Sequence, residues 1–577
     1  HLGNEQLRAS YLATGQNAYQ FQIDLLMQMH QREPVAGYDA IALQISERAR
    51  ARSLLEMLTE SRADIRRGAD AALLSREREL TQQINGKAFR LTQRNTPQQT
   101  DALKKELSQL ESDYRDVQTA IRKNNPHYAA ITQPEPIGLK EIQGQLLDRN
   151  SLLLEYSLGE ERSYLWAVTQ DSITSYELPK RELIQKAAQR VTELLTARGT
   201  RQRNETPPQR TQRIAEADAA LPEAAKQLSD MILAPAADRL ANRRLLVVPD
   251  GALQYVPFAM LPDPVSAKER KFANPQSAIR NSQSEVPLVV NHELVTLPSA
   301  STLAVMRKEL AGRELAPKML AVFADPVFAG DDERRKSKTA QSTSKPGNKL
   351  EPKVEAPDKV ATGRNIVHEE AKAVSTGGIG GSKMLIPRLP FTRQEADRIL
   401  AITPNSANLK AFDFKANRTL ATGTELGQYR YLHFATHGVL DAERANLSAL
   451  VLSLVDEQGQ SQDGFLRVHE IYNLNLPAEL VVLSACQTGL GKEYKGEGLV
   501  GLTRGFMYAG AARVVVSLWN VNDRATSELM PRFYQKMLKE GQSPAAALRS
   551  AQVEMWRQKQ WAAPYYWAAF VLQGEWK

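Results

Sequence analysis

The chain has 577 residues, 42% of them hydrophobic and 24% charged, and its 74 Lys and Arg outnumber its 66 Asp and Glu to give a formal net charge of +8. This length predicts about three to four domains, and this composition excludes disorder of the whole chain. No run approaches the roughly 18 consecutive apolar residues of a membrane span, and the single cysteine excludes a disulfide framework and a cysteine-rich zinc module.

The charge distribution and the N-terminal residues predict which binding partners and which cellular location to expect. The positive residues are dispersed and form no aromatic–basic platform, so we expect attraction to anions in general but no direct nucleic-acid partner. The chain begins at His1, and no charged stretch followed by an apolar core is visible as a targeting segment. We expect a cytoplasmic fragment of a longer protein without a membrane span, and signals in a missing N-terminal part stay open.

Helical spacing dominates residues 1–135. Apolar residues with alternating steps of three and four form two narrow seams: Leu73, Leu80, Ile84, Ala88 and Leu91, then Leu103, Leu107, Leu110, Tyr114, Val117 and Ile121. Between the seams, Thr96 can cap a helix, Pro97 suits its first position and Gln99 can close a capping box. This pattern predicts a long antiparallel helical hairpin that contacts another part of the protein and carries no chemistry itself.

Strands alternate with helices in residues 136–327 and again in 386–577. Strands are predicted at 152–156, 164–168, 245–248, 319–323, 429–435, 449–454, 480–484, 513–518 and 568–572, and helices at 182–196, 215–233, 392–402, 498–508, 525–540 and 544–558. This alternation predicts an α/β fold with a mostly parallel sheet and helices on both faces. Because two such blocks occur, we expect the fold to be duplicated.

Residues 328–385 separate the two blocks and lose nearly all bulky apolar side chains from about residue 331. Lys, Ser, Thr, Pro and Gly dominate there, so the segment cannot bury enough surface to offset ordering entropy and is predicted to be a disordered linker. The glycines of 377–381 could form a phosphate loop, but no strand precedes them and no Lys–Ser/Thr pair follows. We therefore disfavour a phosphate site.

Cys486 and His437 each follow the end of a predicted strand, and we expect these two strands to be parallel neighbours in one sheet. Reactive groups collect outside the carboxyl ends of parallel strands, although a lone cysteine is also often a small buried hydrophobe. His437 precedes Cys486 by 486 − 437 = 49 residues, which matches the histidine-to-cysteine spacing of about 50 in caspase-type peptidases. His433 and His437 as two metal ligands are disfavoured, because residues four apart in a strand lie too far apart.

Residues 429–520 resemble the CHAT family, caspase-like peptidases usually attached to tetratricopeptide repeats and related in fold to caspases and separases. The stretches that carry the resemblance are 433–438 (HFATHG), 463–466 (DGFL) with Glu470 and Ile471, 479–489 (ELVVLSACQTG), 496–504 (GEGLVGLTR), 509–512 (AGAA) and 517–523 (SLWNVND). Residues 46–55 (SERARARSLL) resemble the helix that leads from the repeats into such domains. The resemblance implies an inactive caspase-like subdomain in 136–327, an active one in 386–577 and a repeat array upstream of His1.

The resemblance also implies the site. Cys486 is the expected nucleophile, His437 the expected base and acid, and the amides of Gly438 and Cys486 the expected oxyanion donors, with no cofactor and no metal. Glu497 and Asp523 match the walls of an Arg-selective pocket, although Ser527 stands where a further acidic residue is expected. Asp523 could equally cap the helix that follows it. Of two further candidates for a third catalytic member, His469 and Asp463, we favour a structural role for both.

The sequence therefore predicts a regulated cysteine endopeptidase that cleaves protein substrates, with Arg or Lys before the cleaved bond. The upstream repeats would bind an activating protein, and the family's roles in signalling, defence and cell death are expectations of the same kind. The basic linker would be a target for trimming, including by the protein itself. The alternative is a caspase-like interaction scaffold without catalysis, and a nucleic-acid partner ranks last.

Overall fold

The computed structural model describes most of the chain. The described residues are 16–50, 70–91, 93, 95–123, 136–200, 202, 204–265, 286–335, 386–403, 408–440, 447–485, 492–494 and 498–577. Among these residues, no helix is long and apolar enough to cross a membrane.

The principal elements are labelled in chain order. Helices α1 to α11 are Gln16–Arg32, Tyr38–Ala49, Ala71–Leu91, Pro97–Lys123, Arg181–Thr196, Pro207–Ile232, Ala300–Leu310, Pro390–Ile402, Leu502–Tyr508, Asp523–Leu538 and Pro544–Trp556. Strands β1 to β16 are Ser151–Ser157, Ser163–Val168, Ile173–Leu178, Arg244–Val248, Leu294–Thr296, Lys318–Pro326, Asn408–Asp413, Tyr429–Ala435, His437–Val439, Ala449–Val451, Phe465–Arg467, Leu480–Ser484, Lys492–Tyr494, Gly498–Val500, Arg513–Ser517 and Phe570–Gly574.

Helices α3 and α4 form the helical hairpin that the two apolar seams predict. Leu80 and Ile84 of α3 pack against Leu107 of α4 in one buried cluster. At the start of α4, the Gln99 amide donates to the Thr96 hydroxyl at 3.2 Å and the Thr96 amide donates to the Gln99 side chain at 2.9 Å. The capping box predicted from the sequence is therefore confirmed.

Most of the other strands form one sheet of 11 strands, in the order β3-β2-β1-β4-β5-β16-β15-β12-β8-β6-β7. Neighbouring strands are parallel except in the pairs β1–β2, β2–β3 and β15–β16. The mostly parallel sheet predicted from the alternation of strands and helices is confirmed. Because β16 runs against β15, the carboxyl ends of β6, β8, β12 and β15 share one edge of the sheet, and those of β1, β4 and β5 lie at the other.

The two blocks of the sequence contribute to this single sheet. Strand β6, which precedes the predicted linker, pairs in parallel with both β7 and β8, which follow it. Alternating strands and helices indicate a sheet but do not tell which partner each strand selects, so this arrangement could not be predicted. The division into an inactive subdomain in 136–327 and an active one in 386–577 stays a prediction, and residues 336–385 of the linker lie outside the described residues.

Helices cover both faces of the half of the sheet that carries the candidate site. Alternate residues of a strand point to opposite faces. In β8, Tyr431 and Ala435 join the larger core cluster, to which α8 and α10 also contribute, whereas Leu432 and Phe434 join a second cluster with α9. The sheet is thus buried on both sides, and β8 is fixed deep inside it.

A small antiparallel sheet of three strands, β9, β10 and β11, stands apart from the large one. It includes residues 449–451, which we expected to belong to the parallel sheet. The helix predicted at 498–508 also differs, since α9 begins at Leu502 and the residues before it form β14, paired with β13. Both segments are short, and short apolar runs do not specify their pairing partner.

Candidate active site

Strands β8 and β12, which lead to His437 and Cys486, are parallel neighbours in the large sheet. Their register places Ser484 opposite Ala435 at the carboxyl ends. His437 follows Ala435 by two residues in the sequence, and Cys486 follows Ser484 by two. The expected adjacency of the two strands is confirmed. Cys486 itself lies outside the described residues, so its approach to the imidazole stays a prediction.

The chain leaves the large sheet at Thr436 and enters the small one at His437. The Thr436 hydroxyl donates to the Val451 carbonyl of β10. His437 then lies opposite Val451, and Gly438 lies opposite Leu450. Gly438 continues the extended strand, because β10 pairs with it.

The His437 side chain is buried and held by a main-chain carbonyl. Only 1% of His437 is exposed, and its Nε2 lies 2.8 Å from the Pro387 carbonyl oxygen. A carbonyl can only accept, so Nε2 carries the hydrogen and the neutral ring has its lone pair on Nδ1. The Phe328 ring packs beside the imidazole, with 5.3 Å between ring centroids. Pro387 could not be identified as a partner of His437 from the sequence, because every residue type has a carbonyl.

The segment that carries Pro387 is fixed on both sides. Ile386 packs in an apolar cluster with Val451 of the small sheet. Arg388 donates from Nε and Nη2 to the two carboxylate oxygens of Asp325, at 2.9 and 2.7 Å. This contact raises the pKa of Arg388 above its usual value. The carbonyl that binds His437 is therefore anchored to the end of β6.

Asp325 is itself part of a larger ion-pair network at the end of β6. Its carboxylate is buried and also lies 3.1 Å from Arg334 Nη1. Arg334 donates in addition to Asp413 at 2.9 Å and to Asp332, whose pKa is lowered chiefly by that hydrogen bond. Arg334, from the first residues of the predicted linker, and Arg388, which follows the linker, thus meet at one buried carboxylate.

Asp523, one of the two pocket candidates, lies at the start of α10. It does not cap its own helix, because Asn522 accepts from the Ala525 amide at 2.9 Å. Instead, Asp523 is buried and its Oδ2 accepts from the Phe391 amide in the first turn of α8, at 3.1 Å. Phe391 follows Pro387 by four residues, so Asp523 reaches the segment that binds His437. The other candidate, Glu497, lies outside the described residues.

The remaining candidates occupy structural positions. His433 is fully buried on β8, where its Nε2 lies 3.0 Å from Glu395 and its Nδ1 lies 3.3 Å from the Tyr534 hydroxyl. Burial raises the pKa of Tyr534 well above its usual value. His469 contacts Asn85 at 3.0 Å, and Asp463 accepts from Arg467 at 2.8 Å. The structural role that we favoured for His469 and Asp463 agrees with these contacts.

Two tetratricopeptide repeat proteins are similar in sequence to a small part of this chain. Tetratricopeptide repeat protein 28 of Homo sapiens is 36% identical over 113 residues, and that of Mus musculus is 37% identical over 109. These matches cover 20% and 19% of this chain but only 4% of each relative.

Solved structures of low sequence identity also match. The separase–securin complex of Saccharomyces cerevisiae matches with a TM-score of 0.39 at 12% identity, covering 80% of this chain and 32% of that one. The complex of pro- and mature domains of RgpB from Porphyromonas gingivalis matches with a TM-score of 0.32 at 10% identity, covering 68% and 77%. The model of the CHAT domain matches residues 222–575, more than half of the sequence. The chain therefore belongs to the CHAT domain family.

Proposed function

We propose that this protein is a cysteine endopeptidase in which Cys486 and His437 form the catalytic dyad. The observation that carries the proposal is the parallel pairing of β8 with β12, after which the two residues follow at equal distances along the chain. The second support is the orientation of His437, whose hydrogen-bonded Nε2 leaves Nδ1 as the basic atom of the neutral ring.

In the proposed reaction, Nδ1 of His437 takes the proton of the Cys486 thiol. The thiolate attacks the carbonyl carbon of the scissile peptide bond, and a carbon–sulfur bond forms. When the tetrahedral intermediate collapses, the carbon–nitrogen bond breaks and the imidazolium returns the proton to the leaving amine. Water, deprotonated by the same imidazole, then attacks the thioester, releases the carboxylic acid product and restores the thiol.

The oxyanion of the tetrahedral intermediate needs hydrogen-bond donors in fixed positions. We assign this role to the amides of Gly438 and Cys486. Support comes from β9, whose pairing with β10 fixes the main chain at Gly438. Fixed amides cost no reorganisation when charge develops, which is the physical reason for using main chain here.

We propose that the substrate carries Arg or Lys before the cleaved bond. Asp523 and Glu497 are the acidic residues that bind this basic side chain. Asp523 follows β15, whose carboxyl end shares an edge of the sheet with those of β8 and β12. A guanidinium or ammonium group in a partly buried pocket requires a carboxylate partner. The Phe391 amide uses one oxygen of Asp523, which holds the carboxylate in a fixed orientation.

We also propose that a protein partner switches the enzyme on. The relatives are named for tetratricopeptide repeats, and helices α1 and α2, at the start of the described residues, contribute to the same buried apolar cluster. A partner bound to a helical region can act on the site only if it favours one arrangement of that site over another. The non-catalytic scaffold is the alternative that the experiments must exclude.

The test is a panel of fluorogenic peptides that differ only at the residue before the cleaved bond. Wild type is expected to hydrolyse the Arg and Lys members, and Cys486→Ala and His437→Ala are expected to hydrolyse none while remaining folded. Cys486→Ser serves as the near-isosteric control. Equal hydrolysis by wild type and Cys486→Ala would exclude the proposed enzyme.

A further inference from the structure

The helical hairpin α3–α4 touches the small sheet that carries His437, and Asn85 stands at the contact. Asn85 lies on α3 and is only 4% exposed. Its Oδ1 accepts from Arg467 Nη1 at 3.1 Å and from His469 Nε2 at 3.0 Å. One amide oxygen therefore joins the hairpin to two residues that are more than 380 positions away in the sequence.

The chemistry of the partners fixes the orientation of this amide. Arg467 has only donors, so the oxygen of Asn85 and not its nitrogen must face the guanidinium. The same oxygen then receives the Nε2 hydrogen of His469. Arg467 and His469 are 3% and 5% exposed, so water cannot readily replace the acceptor. A buried donor left without its partner costs the full desolvation penalty of that group.

Apolar contacts accompany the polar one. Phe89, one turn after Asn85 on α3, packs against the cluster of Ile386, Val451 and Phe465. In the other direction, Leu447, just before β10, packs against the seam of the hairpin. The hairpin and the small sheet thus share a packed interface with a hydrogen-bonded centre.

Two strand pairings connect this interface to the candidate catalytic residue. Arg467 ends β11 and lies opposite Ala449 of β10. The next residues of β10, Leu450 and Val451, lie opposite Gly438 and His437. Ile386, which packs beside Phe89, leads directly into Pro387, whose carbonyl binds the imidazole. The main chain of His437 and the Pro387 segment that binds its ring are therefore both part of the surface that the hairpin contacts.

We propose that Asn85 is a positioning residue for His437 and Gly438. It holds β11, and through β10 it holds β9, so that the imidazole and the Gly438 amide keep one orientation towards the nucleophile. The inference rests on the proposed function, because positioning matters only if His437 acts on Cys486. It gives the helical hairpin a role in the reaction, although the hairpin contributes no catalytic group.

The experiment uses the single cysteine as its reporter. Alkylation by iodoacetamide reports the thiolate of Cys486 alone, because the chain has 1 cysteine. Hydrogen exchange of the amides in 437–439 and 449–451 reports the small sheet, and exchange in 480–484 reports the large one. The variants are Asn85→Leu, which removes the acceptor, Asn85→Asp, which keeps an oxygen there, and Gln82→Leu on the exposed face of the same helix.

We expect Asn85→Leu to slow alkylation at neutral pH about tenfold and to speed exchange in the small sheet without changing exchange in 480–484. Asn85→Asp and Gln82→Leu should stay within about twofold of wild type on both measures. Wild-type alkylation or wild-type exchange in folded Asn85→Leu would overturn the proposal. If Asn85→Leu does not fold, Asn85→Ala, which also removes the acceptor and is smaller than leucine, takes its place with the same expected and the same contrary results.

A His437→Ala variant separates the two proposals. If its Cys486 is alkylated as fast as that of wild type, the dyad is wrong and the proposed function fails. The exchange measurement does not depend on that result, because it follows the small sheet directly. Unchanged exchange in Asn85→Leu contradicts the positioning role even when the dyad is confirmed.

Discussion

Arg388 donates two parallel hydrogen bonds of 2.9 and 2.7 Å to Asp325, although the predicted linker separates the two residues in sequence. Asp325 lies near the end of β6 between Ala324 and Pro326, which both pair with β7, and Arg388 directly follows the proline whose carbonyl binds His437. The two-point geometry of an Arg–carboxylate pair fixes orientation as well as distance. The segment that contains Pro387 is therefore attached to the large sheet by Arg388 and Asp325, neither of which belongs to the predicted linker.

The first prediction concerns a cut within residues 336–385. We expect a protein cleaved there, at an inserted site for a foreign protease, to remain one particle in gel filtration and to unfold within a few degrees of the intact protein. The physical reason is that β6 lies between β7 and β8, so the two fragments share one sheet.

The control for that experiment is the same cut in an Asp325→Asn background. Asparagine removes the charge that Arg388 and Arg334 share, and a hydrogen bond to a charged group typically contributes about 1.5–3 kcal/mol. We expect the cut variant to show faster hydrogen exchange at 386–389 and 437–439 than the cut parent. Separation of the fragments in the unsubstituted protein would contradict the prediction.

The second prediction follows the reactivity of the thiol with pH. An imidazole that takes the thiol proton maintains thiolate below the pH at which an isolated cysteine ionises, near pH 8.5. We expect His437→Ala to slow alkylation of Cys486 about tenfold or more at pH 6.5 and to leave it nearly unchanged at pH 10, where thiolate forms without help.

A matched control is His433→Gln, which alters the other histidine of the same motif. His433 contacts Glu395 and Tyr534 inside the core, so its loss should lower stability and leave the pH profile of alkylation in its wild-type form. If His437→Ala reproduced the wild-type rates at both pH values, the imidazole would have no influence on the thiol.

Much of this architecture could be predicted because it depends on local pattern. The apolar seams and the Thr96–Gln99 box specify the helical hairpin through spacing and capping chemistry. The buried runs before His437 and Cys486 indicate strands, and a cysteine–histidine dyad requires that those strands lie side by side. Such features are written in residue types at fixed intervals, which a sequence displays directly.

The features that could not be predicted depend on contacts between segments that are far apart in the sequence. A carbonyl such as that of Pro387 has no signature in its residue type, and the acceptor for Arg467 on the hairpin is an ordinary asparagine. The sequence is compatible with Asp523 as a cap of its own helix, yet its carboxylate accepts a hydrogen bond from the Phe391 amide of α8. Only the packing of β6 and α8 against the later strands brings these groups together.

The third prediction tests whether Asp523 selects the substrate. Asp523→Asn removes the charge but keeps an oxygen that can accept from the Phe391 amide, so the fold should hold. We expect kcat/KM for peptides with Arg before the cleaved bond to fall on the order of 100-fold, as when one member of a desolvated ion pair is lost. Peptides with Leu at that position serve as the control and should change little. An equal loss for both peptides would indicate a structural role for Asp523.

The fourth prediction concerns a buried carboxyl group at the base of the helical region. Glu155 of β1 is fully buried, and its Oε1 accepts from the Ser46 hydroxyl of α2 at 2.6 Å. Burial and the nearby charge of Glu47 raise the pKa of Glu155 well above its usual value of 4.5, against the opposing effect of Arg50. The folded state therefore holds this proton more tightly than the unfolded state does.

The sign of the pH effect follows from that difference. Above about pH 4.5 the unfolded chain loses the Glu155 proton first, so this group's contribution to stability falls as pH rises towards its folded pKa. Each unit by which the pKa is raised corresponds to about 1.4 kcal/mol. Glu155→Gln cannot ionise, so the unfolding free energy of wild type minus that of the variant should decrease from pH 4.5 to pH 8 in chemical denaturation. The exposed Glu177→Gln, measured in the same way, is the control for replacing glutamate by glutamine in this sheet. A pH-independent difference for Glu155→Gln would show that Glu155 ionises as readily in the folded protein as in the unfolded chain.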